Sequence, residues 1–148
     1  MKLKIVLPFI LCLFTLNGFA QQSSIPEIKT PAGIRYINNT FISYPIAGKY
    51  LFEGGEPIVV INPDGTGIYQ LHDALPRPMV WGLDCSKLGE IAFIKGHDSI
   101  AYTLWYKFTD GTDADNEWKS VEYSIHFKTM KMYIQGERVK YFGKEPKK

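Results

Sequence analysis

Strict alternation of apolar and polar side chains is the feature that most limits what this chain folds into. In residues 100–108 the even positions are Ile100, Tyr102, Leu104, Tyr106 and Phe108, and the odd ones are Ala101, Thr103, Trp105 and Lys107. Residues 120–127 repeat the pattern, with Val121, Tyr123, Ile125 and Phe127 alternating with Ser120, Glu122, Ser124 and His126. A period of two sends successive side chains to opposite faces of a strand. The even set of the first segment and the apolar odd set of the second are therefore predicted to face a core. One apolar and one wet face is the pattern of antiparallel sheet. These two stretches belong to strand segments at 99–108 and 117–127, and further segments rich in β-branched and aromatic residues occur at 34–37, 40–44, 48–53, 57–62, 67–72, 78–84, 90–95, 130–135 and 137–142. No segment keeps helical spacing over three turns. At most a helical turn is expected near Leu71–Leu75 or Ser86–Leu88. So many short-linked strands have to protect their edges. The expected fold class is all-β: an antiparallel meander closed into a barrel, or alternatively a two-sheet β-sandwich.

The ends of the chain predict its compartment. Lys2 and Lys4 precede an apolar run at 5–16, and Gly18 and Ala20 follow at the −3 and −1 positions of a cleavage site. This reads as a secretory signal peptide over 1–20, cut between Ala20 and Gln21. The apolar run is too short for a comfortable membrane span. The protein is thus expected to be exported, periplasmic or extracellular, with no integral membrane segment after cleavage. Residues 21–33 read as a disordered or extended leader, 34–143 as a single domain and 144–148 as a basic tail.

Cleavage alters the charge and cysteine arithmetic. The chain carries 17 Lys+Arg against 15 Asp+Glu, and losing Lys2 and Lys4 leaves 15 of each (17 − 2 = 15). A neutral mature protein without a like-charged run argues against nucleic acid as a partner. Cys12 leaves with the signal, so Cys85 stands alone and is expected to be a buried, small hydrophobe. Without a disulfide, the 128 mature residues (148 − 20) depend on one core.

The stretch VVINPDGTGIYQLHD, 59–73, carries the strongest local motif. Asn62, Asp64 and Thr66 fall at positions 1, 3 and 5 of a calcium-loop spacing, with Gly67 at 6 and Asp73 at 12. The flanks are strands rather than helices, and Pro63 and Gly65 suit a three-residue hairpin loop with a bulge. That loop pairs Ile61 with Gly67 and Val59 with Tyr69; a two-residue loop would shift every side chain to the other face. Asn62 is expected to bond the backbone two residues on. A second acidic stretch places Asp110, Asp113, Asp115 and Glu117 within eight residues. These are weak candidates for metal ligands and read more simply as a solvated loop between the two longest strands. No metal and no cofactor is expected.

Chemistry has little support. His72 and His97 each precede an Asp, but neighbours on a strand face opposite ways, and no G-x-S-x-G, H-E-x-x-H or C-x-x-C occurs. The chain is not expected to be an enzyme. Trp81, Tyr102, Tyr106 and Tyr123 are the candidate lining of a pocket for an apolar ligand. Trp105 and Trp118 lie on outward faces and are the candidate surface for a protein partner, unless a terminal strand or the Pro-rich leader covers them.

The segment IAGKYLFEGGEPIVVINPDGTGIY, with Gly48 and Tyr50 on a first strand and Asp64-Gly65-Thr66-Gly67 at a hairpin, resembles the opening of small bacterial lipocalin-like domains. Tyr50 stands where that family usually has Trp, and Arg138 matches its late basic residue. The resemblance covers about 48–72 and 130–142. It implies a lipocalin-like barrel with an apolar cavity. The expected function is binding of a small apolar ligand. The alternatives are a protein-interaction or inhibitor-like module using an external aromatic surface, and a hydrolase of unknown substrate.

Overall fold

The computed structural model describes residues 24–39, 46–52, 57–70, 74–111 and 116–138. The signal segment, the 40–44 strand segment, Leu71–Asp73, Asp113, Asp115 and the basic tail lie outside the described residues. Strands follow one another as β1 (Glu27–Thr30), β2 (Gly33–Asn38), β3 (Gly48–Leu51), β4 (Pro57–Ile61), β5 (Thr66–Tyr69), β6 (Arg77–Cys85), β7 (Ile94–Lys95), β8 (Ser99–Phe108), β9 (Lys119–His126), β10 (Lys131–Tyr133) and β11 (Glu137–Arg138). Every pairing between them is antiparallel.

Pairing runs β6-β5-β4-β3-β11-β10-β9-β8, and β8 pairs back with β6. Among the described residues eight strands thus form a nearly closed barrel in which each pairs with the next in the chain, apart from the short β7. A sandwich is set aside by this order. Among the described residues the last strand of the barrel meets the first through Glu137↔Leu51 and Arg138↔Tyr50.

Alternation built the wall as expected. Leu104, Tyr106, Phe108, Tyr123 and Ile125 are buried in one core cluster with Tyr50, Val59, Ile61, Met79, Trp81, Leu83, Met132 and Ile134; Ile100, Tyr102 and Val121 pack against it half-buried. Each fully buried large apolar side chain contributes about 1.5–3 kcal/mol relative to exposure. Phe127, expected inward, is exposed, because β9 ends at His126 and the chain turns. Polar atoms within this core have partners. The Tyr50 hydroxyl donates to the Ile46 carbonyl (2.6 Å), the Tyr123 hydroxyl to Met132 Sδ (3.4 Å), and the Trp81 indole N–H to the Asn62 and Thr66 carbonyls (3.2 and 2.9 Å).

Where a disordered or extended leader was expected, β1 pairs with β2 over Glu27↔Tyr36 to Thr30↔Gly33. Pro31 sits in the intervening two-residue turn, and Gly33 takes the positive φ (109°) there. β2 then continues the sheet along β6 through Tyr36↔Cys85, Ile37↔Asp84 and Asn38↔Leu83, beyond the point where β5 stops. This hairpin lays Ile28 and Ile37 on the outside of the barrel, beside Trp105.

The β4–β5 turn has the three-residue form, with Val59↔Tyr69, Val60↔Ile68 and Ile61↔Gly67. Gly65 has φ 84°. The Asn62 amide donates to the Thr66 carbonyl (2.9 Å), closing the loop. The side-chain cap is Asp64 rather than Asn62: its carboxylate accepts from the Thr66 N–H (2.9 Å) and hydroxyl (2.6 Å), while Asn62 Nδ2 donates to Thr66 Oγ1 (3.0 Å). Over Ser86–Leu88 there is a turn, not a helix; the Gly89 N–H donates to the Ser86 carbonyl, and Gly89 has φ 86°.

Candidate functional site

The four aromatics expected to line a pocket do not share one environment. Trp81 and Tyr123 are buried filling of the core, with their polar atoms bonded internally. Tyr106 is buried and stacks on Tyr69 (ring centroids 5.1 Å, planes 8° apart). Tyr102 borders a cleft. It stacks on Tyr123 at 5.6 Å and meets Phe93 at 6.2 Å.

That cleft has a volume of about 290 Å³ and is lined by residues 92–94 of the β6–β8 connection, 101–103 of β8 and 120–122 of β9. Its construction follows from splayed strands. β6 and β8 pair only over Met79–Leu83 and Leu104–Phe108. Beyond that the chain inserts itself between them. Ile91 bridges to Cys85, the Ala92 N–H donates to the Asp84 carbonyl (2.9 Å), and Ile94 and Lys95 pair with Ala101 and Ile100. This short insert leaves Phe93 57% and Ile94 74% exposed beside the cleft. Small side chains at Ala92, Ala101, Thr103 and Ser120 leave the space open, and Glu122 brings a carboxylate to its border.

The two tryptophans expected to form an interaction surface face outward but are covered. Trp105 is only 9% exposed, under Ile28 and Ile37, and Trp118 packs half-buried against the same group. The Trp105 indole N–H donates to Asp84 Oδ1 at 2.9 Å. Large apolar side chains are exposed elsewhere, at Ile34, Leu75 and Leu88 among others, and two adjacent ones, Phe93 and Ile94, lie in a run without alternation. Periodicity gave no signal for them, and only the adjacency of four apolar residues in IAFI marked the spot.

Of the acidic candidates, Asp110 pairs with Arg77 (Oδ1 to Nη2 2.9 Å) and Glu117 is exposed. Among the described residues no three His, Cys, Asp or Glu side chains group as metal ligands would. In the β4–β5 turn the Thr66 hydroxyl and N–H hold the Asp64 carboxyl below its ordinary value. His97 and Asp98 sit in a turn rather than a strand, and Nε2 comes within 3.9 Å of Oδ1 with both side chains exposed. His126 Nε2 stands 3.5 Å from Ser124 Oγ on an exposed face. That is longer than a working nucleophile–base hydrogen bond. Cys85 is buried, and burial, helped by the Asp84 charge, pushes its thiol up. A raised thiol is a poor nucleophile.

At the opposite end from the β4–β5 turn, Tyr69, Arg77, Phe108, Lys119 and Gln135 crowd together. The Tyr69 hydroxyl donates to Gln135 Oε1 across the barrel end. Gln135 holds a positive φ (54°), a conformation uncommon outside glycine. Burial pushes the Tyr69 phenol up, and it pushes Tyr106 up to about 12, with the neighbouring phenol adding to it.

Comparison of the chain with family models, with curated proteins and with solved structures finds no match.

Proposed function

We propose that this chain is an exported, lipocalin-like binding domain without chemistry of its own, and that it takes a small apolar ligand in the cleft between β7, β8 and β9. The observation that carries the reading is the pair Phe93 and Ile94, held largely in solvent at the border of a 290 Å³ space with Tyr102 beside it. Exposed large apolar side chains next to a concavity mark contact sites more often than isolated ones do. The up-and-down order of eight strands, closed by the first and last, supports the lipocalin-like comparison. The volume sits at the low end for small-molecule sites, so the ligand is a single ring or a short chain. The side chains lining the cleft include one carboxylate, Glu122, and the Thr103 and Ser120 hydroxyls, which favours a ligand with a donor at one edge.

Native mass spectrometry of protein purified from its own source tests this. The expected result is a retained mass of a small molecule that Phe93→Ser and Ile94→Ser each release. Protein with no retained mass, and with no affinity for small ring compounds, overturns the reading.

A protein-interaction module is the second reading, favoured by the exposure of Leu88 in the same connection as Phe93 and Ile94. A partner protein recovered by crosslinking at position 94 supports it over the first.

A further inference from the structure

Register sets how far each strand reaches past the β4–β5 turn. β6 pairs with β5 as far as Val80↔Thr66, then runs on to Cys85 alongside β2. Tyr36 stands opposite Cys85, so Arg35 and Ile34 reach further out still. On the other side of β6, β8 meets it last at Leu104↔Leu83, and Ile94 and Lys95 lie opposite Ala101 and Ile100, beyond that level. The turn Ser86–Gly89 leaves β6 at the same height, and Asn38 Nδ2 holds it against the hairpin by donating to the Gly89 carbonyl (3.3 Å). The hairpin tip at 29–35, the turn at 86–90 and the segment 94–99 thus end in one rim. Each carries a large aliphatic side chain in solvent: Ile34 is 57%, Leu88 83% and Ile94 74% exposed. Each has an exposed cation next to it in the chain, Arg35, Lys87 and Lys95, and the exposed Lys29 stands opposite Ile34. Among the described residues none of these four cations is held in an ion pair. The acidic side chains of the same three segments are Glu90 and Asp98, so with His97 neutral the rim sets four positive charges against two.

A lone exposed aliphatic side chain is ordinary, but three brought to one rim by different segments make a contact surface. Protein interfaces favour aromatic residues and Arg and are poor in Lys. Aliphatic tips flanked mostly by Lys suit a bilayer instead: the tip enters the acyl boundary while the long cation stays at the phosphates. We propose that this rim docks the barrel end-on to a membrane surface that carries anionic lipid. Only side chains enter the bilayer, and no strand crosses it. Ile94 also borders the cleft, but docking needs no ligand there and does not rest on that reading.

The test is flotation of the protein, isolated after export, with vesicles of phosphatidylcholine alone and with vesicles in which about a quarter of the lipid is phosphatidylglycerol. Binding is expected to be about tenfold stronger on the anionic vesicles at low salt and to fall at high salt. Leu88→Ser is expected to weaken it about fivefold on both. Lys87→Gln is expected to weaken it about fivefold on the anionic vesicles and to leave the neutral ones unchanged. Leu75→Ser, equally exposed just before β6 at the opposite end of the barrel, is expected to change nothing. Both Lys87 and Leu88 are exposed in a turn, so their replacement leaves the fold intact. No flotation with anionic vesicles, equal flotation with both kinds, indifference to Leu88→Ser, or an equal loss in Leu75→Ser each overturns the proposal. An apolar leader left uncleaved would float the protein whatever stands at position 88, and so falls under the third of these.

Discussion

The side chain of Ile37 occupies the place where a Cβ on Gly82 would stand: Ile37 Cβ, Cδ1 and Cγ1 lie 2.8, 3.0 and 3.1 Å from that position. The missing side chain on β6 is what lets the β1–β2 hairpin close down beside Trp105. Gly82→Ala is expected to lower stability by about 1–3 kcal/mol through overpacking, read as a lower denaturant midpoint at unchanged slope. An unchanged midpoint would mean that the hairpin does not rest on the barrel in this way.

Trp105 carries the other half of that contact. Trp105→Ala is expected to cost about 3 kcal/mol or more, as buried aromatics do. Trp105→Phe keeps most of the ring but removes the donor to Asp84, and about 1 kcal/mol is expected for the lost hydrogen bond. Chemical denaturation of both variants separates packing from hydrogen bonding. Equal effects would show that the indole N–H contributes nothing.

The β4–β5 turn offers a cleaner backbone test. Gly65→Ala places a Cβ at φ 84° and is expected to cost about 1 kcal/mol from left-handed strain. The nearest neighbour of that Cβ is the end of the Asn39 side chain, which can move aside. Asp64→Ala is expected to have a small effect that does not depend on calcium. The Asp64 carboxyl is held below its ordinary value, so its contribution is present above the unfolded pKa and fades as pH falls through the folded one. Thermal melts with calcium and with chelator decide the matter. A calcium-induced rise in the parent that vanishes in Asp64→Ala would restore the metal reading.

Alkali tests the phenol stack. Tyr106 is pushed up to about 12, and an ordinary tyrosine titrates near 10. Its un-ionised form is favoured in the folded state, so this contribution is whole below the unfolded pKa and is lost as pH rises through the folded one. Stability is expected to decline between about pH 10 and about 12, and the late absorbance step that Tyr106→Phe removes is expected at the alkaline end of the ultraviolet titration. Tyr106→Phe is expected to flatten the decline. A stability curve with the same alkaline slope in both proteins would contradict it.

Local patterns were legible and distant contacts were not. The span of β8 and the register of Val59 against Tyr69 could be read from the sequence, because alternation and turn chemistry act within a few residues. β1 was missed because EIKT is short and lies between Pro26 and Pro31, which read as leader. Pro is tolerated at strand starts and turns, which is where these two sit. The cover over Trp105 comes from residues about seventy positions away, beyond any local signal. Phe93 and Ile94 escaped because a short insert between splayed strands has no period.

The seam between β3 and β11 sets an order of events in folding. Tyr50 and Arg138 pair across 88 residues of chain (138 − 50), while neighbouring strands elsewhere in the ring are joined by short connections. Closing so long a loop yields only two residue pairs among the described residues, after most of the entropy of the intervening chain has been lost. The hairpins therefore form first and the ring shuts last. In the native protein the same seam is expected to open first, so the one amide of the Tyr50–Leu51 pair that points toward β11 is expected to exchange with solvent faster than those of β8.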